Sequence, residues 1–394
     1  AWAAWRVFQM ERRARGGRGD LDFLESILHK LMLNFNWWIN NKSVGGRHLF
    51  SGGFLGLDNI GAFDRGGRLP TGGFLTQSDG TGWVAFFALC LMRIALELAL
   101  RNPVYQSLAS KFLLHFLEIA QAIAGVSDPD TGLWDSEDSF YYDTLTTTDG
   151  KRTRLKVRSL VGLIPLCAVE VLEPDILEQL PEFSGSLQAL RQRRPDLARM
   201  LSLPDASDPQ RVLLSLAPGD RLRKVLRRVL DPDEFFSDYG IRSMSKYHLN
   251  HPFVVDGHVA TYEPGESSVK IMGGNSNWRG PVWFAPNFLL IEAMQKFHSF
   301  HGDSFEVECP THSGRAGSLR HVADQLMDRQ IALFELRGGM RPAMALHSKM
   351  SQEHFRDHLL FHEYFHGDSG RGVGASHQTG WTGLVAALIG MRGS

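Results

Sequence analysis

The chain has 394 residues, of which 43% are hydrophobic and 22% charged, and its formal net charge is −1. This composition is that of a globular protein and excludes a disordered, collagen-like or membrane-embedded chain. The near-neutral charge gives no reason to expect nucleic acid or a membrane surface as a partner.

Three cysteines, Cys90, Cys167 and Cys309, are too few and too scattered for a disulfide framework or a zinc knuckle. They indicate reduced thiols in a core, so we expect a cytoplasmic protein. We find no apolar run of the ~18 residues that a membrane-spanning helix needs. The chain opens without Met on a helix-like stretch, Ala-Trp-Ala-Ala-Trp-Arg, as though it were cut from a longer protein.

Apolar residues at helical spacing dominate the chain. They predict helices over residues 21–40, 81–100, 104–125, 159–173, 219–230, 283–300, 317–336 and 378–391. Long glycine- and aromatic-rich stretches lie between them, at 44–80, 126–157, 250–282 and 359–377. Loops of this length are uncommon in compact domains unless they carry function. A small β-hairpin is predicted from strands at 140–147 and 153–158 around an Asp149-Gly150 turn.

Residues 185–230 are rich in arginine and punctuated by prolines, which predicts a helical insertion within the domain. Its last part contains five basic residues, which one interpretation makes a binding face: Arg221, Arg223, Lys224, Arg227 and Arg228. The apolar residues between them recur at helical spacing and favour a helix docked on a core: Leu222, Val225, Leu226, Val229 and Leu230. On that second interpretation, water solvates the basic face.

Asp58 lies in the glycine-rich loop GGFLGLDNIGAFDR, residues 52–65, between two predicted helices. A carboxyl among apolar residues tends to have a raised pKa, which suits a general acid. Alternatively, Asp58 or Asn59 caps a short helix. The motif alone does not decide between these two roles.

The motif QSDGTGW, residues 77–83, directly precedes a predicted helix. Asp79 or Thr81 is predicted to cap that helix, while Gln77 is a candidate for lining a cleft. Further along, the mixed acidic and aromatic residues 132–143 predict a folded loop over a site. They lack the glycine-bearing pattern of a calcium loop.

The densest polar and aromatic cluster is GGNSNWRGPVW, residues 273–283. The rings of Trp278 and Trp283 offer flat apolar faces, and Asn277 and Arg279 supply directed hydrogen bonds. Sugars present both kinds of surface. The alternative is a buried turn that the two tryptophans pack.

Residues 362–366 read HEYFH, which matches the H-E-x-x-H zincin pattern. Zinc binding would require both histidines on one face of a helix and a third ligand downstream. Gly367 would end such a helix at once, and the aromatic residues favour extended structure. The preferred interpretation is therefore that Glu363 is an isolated carboxylate in an aromatic, glycine-lined loop.

Taken together, these motifs resemble glycoside hydrolase family 63, in particular its microbial branch related to the processing α-glucosidases. The matching blocks span nearly the whole chain: GGFLGLDNIGAFDR, QSDGTGW, LKVRSLVGLIPL, GGNSNWRGPVW and HEYFHGDSGRGVGASHQTGWTGL. The resemblance implies an all-α fold, an (α/α)6 barrel. It also implies inverting hydrolysis of an α-glucoside or oligosaccharide, with no metal or cofactor.

The resemblance also implies roles for individual residues. Asp58 matches the family's general acid and Glu363 its general base. Eight further residues are implied to contact or support the substrate: Trp278, Arg279, Trp283, Asn277, Tyr364, Trp381, Gln77 and Asp64.

One departure from the family pattern is the absence of its upstream aromatic-Trp-Asp segment. We therefore expect residues 1–394 to form the C-terminal part of the barrel, without its first helices and inactive alone. The alternatives are a non-catalytic sugar-binding remnant and a zinc peptidase that uses the HEYFH segment.

Overall fold

The computed structural model describes residues 1–53, 55–126, 131–202, 211–269, 276–345, 349, 352–355 and 357–393. This part of the chain divides into two compact units. Unit 1 comprises residues 1–52, 76–134 and 164–220, and unit 2 comprises residues 53–75, 135–163 and 221–394. Both Asp58 and Glu363 belong to unit 2.

The described residues are rich in helix. The helices are α1 (Trp2–Ala14), α2 (Leu21–Lys42), α3 (Ser78–Ala99), α4 (Tyr105–Ala124), α5 (Pro174–Gln179), α6 (Pro181–Arg193), α7 (Pro195–Ala198), α8 (Asp220–Val229), α9 (Phe284–His301), α10 (Leu319–Ile331), α11 (Thr379–Thr382) and α12 (Leu384–Arg392). Most predicted helices are thereby confirmed to within a few residues.

Short strands are more numerous than the single predicted hairpin. They are β1 (Phe74–Thr76), β2 (Trp134–Asp135), β3 (Phe140–Tyr141), β4 (Asp143–Thr146), β5 (Arg152–Leu155), β6 (Val169–Leu172), β7 (Leu201–Ser202), β8 (Val212–Ser215), β9 (Phe236–Ser237), β10 (Gly240–Ile241), β11 (Phe253–Val255), β12 (His258–Ala260), β13 (Glu306–Glu308), β14 (Ala316–Ser318), β15 (Tyr364–Phe365) and β16 (Gly372–Val373). In the described residues, each sheet has only two or three strands, and none closes on itself. The expectation of an all-α fold is corrected to a helix-rich fold with small sheets.

Unit 1 is built around α3, which packs against α2 and α4. By length and composition α3 could cross a membrane, so our expectation that no segment could do so was wrong. However, 72% of its most apolar window is buried inside the structure, as in the core helix of a globular domain. All three cysteines are buried free thiols.

The predicted hairpin is confirmed in unit 2. Strands β4 and β5 pair antiparallel, with Thr146 opposite Arg152 across the turn. Within that turn, Gly150 has a φ of +84°, a conformation that glycine adopts without strain.

The predicted helix at 159–173 is wrong. The segment instead forms two 3₁₀ turns, Leu160–Gly162 and Ile164–Cys167, followed by β6. Pro165 removes a helical hydrogen-bond donor, and valines at 169 and 171 favour a strand. A continuous apolar run does not reveal which of the two structures it will form.

Gly162 offers a test of this packing. A Cβ there would lie 2.2 Å from the Phe140 ring and 2.3 Å from the Tyr141 carbonyl oxygen. We expect Gly162→Ala to destabilise the protein by about 1–3 kcal/mol, as overpacking does. Gly185→Ala is the control, because that glycine lies in α6 with nothing within 4 Å. It should instead stabilise by about 0.5–1 kcal/mol in urea titrations.

The apolar stripe predicted for residues 222–230 is confirmed, since all five of its apolar residues are buried. The basic residues around it are not all free in solvent. Arg228 donates to Glu234 Oε1 over 2.5 Å and to the Asp138 carbonyl over 2.8 Å. Earlier in the predicted insertion 185–230, β8 pairs with β6 in unit 1.

Candidate active site

Asp58 lies in an irregular loop of unit 2, and no described helix begins at Asp58 or Asn59. The capping alternative for these two residues is therefore wrong. Asn59 is 1% exposed, and its side chain reaches into the segment 276–279. Its Oδ1 accepts from the Trp278 N–H over 2.7 Å, and its Nδ2 donates to Asn277 Oδ1 over 3.1 Å. These bonds fix the residue next to the proposed acid.

Arg279 holds the same loop through its backbone. It has no exposed surface, and its Nε donates to the Asn59 carbonyl over 2.6 Å. Its Nη2 donates to the Gly61 carbonyl over 2.7 Å. Glu263 faces Nη1 at 3.4 Å and supplies a countercharge. The buried guanidinium thus clamps the chain on the C-terminal side of Asp58.

Asn277 organises the second loop of the site. It is fully buried, and its Nδ2 donates to the carbonyls of Glu263 and Gly265 over 2.7 and 2.6 Å. Its Oδ1 also accepts from the Arg279 N–H over 2.9 Å. One amide therefore satisfies groups from two separate stretches of unit 2, which is a role in positioning the backbone.

Glu363 immediately precedes β15, which pairs with β16 in a short antiparallel hairpin. Its Oε1 accepts from Ser276 Oγ, and its Oε2 accepts from the Ala375 N–H, both over 3.2 Å. At Gly374, with a φ of +70°, a Cβ would lie 2.7 Å from Oε2. Both carboxylate oxygens are therefore oriented by neighbours, and glycine leaves room for one of them.

The HEYFH segment does not have zincin geometry. Tyr364 and Phe365 form strand β15 and not a helix, so His362 and His366 do not share a helix face. His366 Nδ1 accepts from the N–H groups of Asp368 and Ser369, as a turn residue does. Among the described residues, no group of three potential metal ligands is present. The zinc-peptidase alternative therefore lacks the arrangement it requires.

Aromatic residues of unit 2 form a stack that includes Trp278 next to Asn277 and Tyr364 next to Glu363. The Trp278 and Trp283 rings stack 3.8 Å apart at 4°, and Trp283 stacks on Tyr364 at 4.6 Å. Trp381 contacts Trp283 edge-on at 5.7 Å. The first three residues are buried and Trp381 is partly exposed. The buried-turn interpretation of the tryptophans thus describes their packing, and their direct contact with a sugar stays a prediction.

Charge and burial shape the protonation of the site. Burial raises the pKa of Asp58, a backbone hydrogen bond opposes this, and repulsion from Glu363 raises the pKa further. Burial also raises the pKa of Tyr364, with contributions from Glu266 and Glu363. The two proposed catalytic carboxyls therefore interact electrostatically, and Asp58 holds its proton more tightly than an ordinary aspartate.

This shift predicts a pH dependence of stability. The pKa of Asp58 in the folded protein exceeds its ordinary value of 3.8. Protonated Asp58 therefore stabilises the folded state to its full extent at pH values below 3.8. It is lost as the pH rises through the folded pKa. Asp58→Asn cannot ionise, so its stability relative to wild type should increase with pH above about 3.8. Thermal unfolding of both proteins from about pH 3.5 to about pH 7 measures this difference. A constant difference would contradict the shift.

Two predicted site residues have contacts of a different kind. Gln77 is fully buried in unit 1, at the residue before α3. Asp64 Oδ1 accepts from the Gly66 and Gly67 N–H groups over 2.8 and 3.2 Å, which is a tight turn. Neither observation tests a role in sugar binding, which stays a prediction for both.

The predicted cap of α3 is also corrected. Gln77 occupies the cap position, without a side-chain hydrogen bond there. Asp79 and Thr81 lie inside the first turn, and Thr81 Oγ1 donates to the Gln77 carbonyl over 2.7 Å. The same hydroxyl accepts from the Phe50 N–H over 3.0 Å. The threonine thus ties the preceding loop to the helix.

The acidic stretch 132–143 forms ion pairs with basic residues of unit 2. Asp135 pairs with Arg154 over 3.1 Å, and Lys156 contacts Asp138 over 3.2 Å. Asp143 pairs with Arg65 over 2.8 Å. These carboxylates are neutralised by cations, which explains the charge density without a bound ion.

Sequence reasoning missed the contacts that orient the two carboxyls. Ser276 lies within GGNSNWRGPVW, but a serine between two asparagines gives no signal of its own. The local pattern around Asn59 indicates only a helix cap. Glu263 lies outside every motif. A hydrogen-bonded contact between segments more than 200 residues apart, such as Asn59 to Asn277, leaves no local pattern.

Part of the chain is similar to a known family of glycoside hydrolases. Residues 211–382 match the mannosylglycerate hydrolase MGH1-like glycoside hydrolase domain. This stretch contains Glu363 and the 276–283 motif. This match agrees with the family 63 glycoside hydrolase that the motifs predict.

The chain is also similar to individual yeast proteins. The chain is 48% identical to the uncharacterized protein YMR196W of Saccharomyces cerevisiae, over 99% of this chain and 38% of that protein. It is 26% identical to the mannosyl-oligosaccharide glucosidase of the same yeast, over 45% of this chain and 16% of that enzyme. The chain thus spans well under half the length of these relatives.

Among solved structures, the chain matches a family 63 mannosylglycerate hydrolase from Thermus thermophilus in complex with glucose. The match has a TM-score of 0.36 and 15% identity, and it covers 81% of this chain and 45% of that one. This structural likeness is too weak to carry an argument about the fold.

Proposed function

We propose that the protein hydrolyses an α-glucosidic bond with inversion at the anomeric carbon. Asp58 is the general acid and gives its proton to the departing oxygen. Glu363 is the general base and takes a proton from a water molecule on the opposite face of the sugar. The new C–O bond to water forms as the glycosidic bond breaks. This mechanism places the two carboxyl groups roughly 6.5–9.5 Å apart.

One observation carries the proposal: burial, and then repulsion from Glu363 in the same unit, raises the pKa of Asp58. A raised pKa favours the protonated form of a carboxyl, which a general acid requires. Glu363 has both oxygens oriented by hydrogen bonds, as a base that must face one water molecule requires.

The substrate class follows from the family. A related protein is a mannosyl-oligosaccharide glucosidase, which supports a glucoside as the substrate. The α linkage and the (α/α)6 barrel follow from the family resemblance and belong to the proposal. We place the protein in the cytoplasm because none of its three cysteines forms a disulfide bond.

The experiment is to incubate the protein, at the full length that its gene encodes, with α-linked glucosides and to follow the anomeric protons by NMR. We expect β-glucose to appear first and α-glucose only later, through mutarotation. Initial release of α-glucose would contradict the inverting mechanism. Binding of a glucoside without hydrolysis would favour a non-catalytic sugar-binding protein.

A further inference from the structure

Four consecutive residues, 276–279, contact the loops that carry both proposed catalytic carboxyls. At one end, Ser276 Oγ donates to Glu363 Oε1 over 3.2 Å. At the other end, Arg279 donates to the carbonyls of Asn59 and Gly61, directly after Asp58. We refer to residues 276–279 as the bridge segment.

The bridge segment is held firmly at its centre. Asn277 is fully buried, with its side chain bonded to the backbone carbonyls of Glu263 and Gly265. Trp278 donates its backbone N–H to Asn59 and stacks on Trp283. A residue at the end of this segment therefore occupies a position that the buried core of unit 2 determines.

We propose that Ser276 is the positioning residue for the Glu363 carboxylate. The proposal rests on the proposed function, in which Glu363 is the base. Glu363 is only partly buried and its long side chain has several rotamers. The Ala375 N–H orients Oε2, and Gly374 lies beside that same oxygen. Ser276 is the side chain that orients the other oxygen.

The consequence for the reaction is geometric. A base must hold its water in line with the bond that breaks, at a separation from the acid that leaves room for the water. Because the bridge segment contacts both the acid loop and the base, it keeps this separation constant. Loss of the Ser276 hydroxyl leaves one Glu363 oxygen free to rotate away, which affects the chemical step more than substrate binding.

The test compares Ser276→Ala with Ser276→Thr and with Ser376→Ala as the matched control. Ser376 is exposed and lies next to Ala375. Its replacement therefore removes a serine hydroxyl close to Glu363 without removing a hydrogen bond to that residue. We expect Ser276→Ala to lower kcat on the order of 10-fold with little change in KM, as loss of a bond to a charged group does. Ser276→Thr, which keeps the hydroxyl, should restore most of kcat.

A second measurement does not depend on activity. In a crystal structure of Ser276→Ala, the Glu363 side chain should adopt another rotamer, while Ser276→Thr keeps the original one. An unmoved Glu363, or a kcat of Ser276→Ala equal to that of Ser376→Ala, would overturn the proposal. Equal losses in the alanine and threonine variants would also overturn it, since packing would then explain both. Absence of hydrolysis by the wild-type protein at the full length that its gene encodes would instead refute the proposed function, and the crystal structures would still decide the role of Ser276.

Discussion

Replacing Asp58 with Asn is expected to slow hydrolysis of α-glucosides with alcohol leaving groups by about 100- to 10,000-fold. An amide cannot donate the proton that the departing alkoxide needs. Fluoride leaves without a proton, so α-glucosyl fluoride should be cleaved by the variant at close to the wild-type rate. Initial rates on the two substrates measure the difference between them.

Changes at Glu363 should affect both kinds of substrate, in contrast to Asp58→Asn. Glu363→Gln is expected to slow both substrates, because each needs a base to activate water. In Glu363→Ala, added azide can attack C1 of α-glucosyl fluoride from the vacated side. A C–N bond then forms as the C–F bond breaks, and fluoride leaves as the anion. The product should be β-glucosyl azide, which NMR identifies.

The control for these variants is Asp256→Asn. Asp256 is exposed in the turn between β11 and β12 and has a φ of +46°, which asparagine also adopts readily. It should keep wild-type rates on both substrates. An equal loss on both substrates in Asp58→Asn would remove Asp58 from the acid role, and an α-configured azide product would refute inversion.

Local composition made Asp58 and Glu363 candidates for a functional site, and the family resemblance implied their roles as acid and base. Asp58 is surrounded by glycine and apolar residues, and Glu363 precedes a glycine-rich turn. Such local composition reports on burial and on backbone freedom, which a single chain segment determines. The electrostatic interaction between the two residues could not be predicted this way, since it depends on how distant loops pack.

The chemistry of Asn277 and Arg279 could not be assigned from residue type. Asn and Arg bind sugars with the same donors and acceptors that they use to satisfy buried backbone groups. The structure shows both fully buried and bonded to the backbone of unit 2. Only burial shows that these two side chains satisfy backbone groups, and burial depends on the fold and not on the motif. Their contact with a sugar stays a prediction.

Secondary structure was predictable where an apolar stripe had polar neighbours, as in α8. It was not predictable where the apolar run was continuous. Residues 160–172 contain both Gly162 and Pro165, and they form turns and a strand inside the structure. In such runs, the helix and the strand bury the same side chains, so tertiary packing selects between them.

Replacing Asn277 with Leu is expected to be the most destabilising of these changes. The substitution leaves the Glu263 and Gly265 carbonyls and the Arg279 N–H without their partner, all in a buried site. Each buried polar group left unsatisfied costs about 1–3 kcal/mol, so we expect a loss of about 3–9 kcal/mol for the three groups. That is a large part of the roughly 5–15 kcal/mol typical of a folded protein.

Urea titration of Asn277→Leu beside Asn41→Leu measures this effect. Asn41 is exposed at the end of α2, where its side chain donates to the Trp37 carbonyl over 2.9 Å. Water can replace that bond, so the control should change stability by no more than about 0.5 kcal/mol. If the two variants were equally stable, Asn277 would not hold the bridge segment. Asp58 and Glu363 would then need another source of fixed geometry.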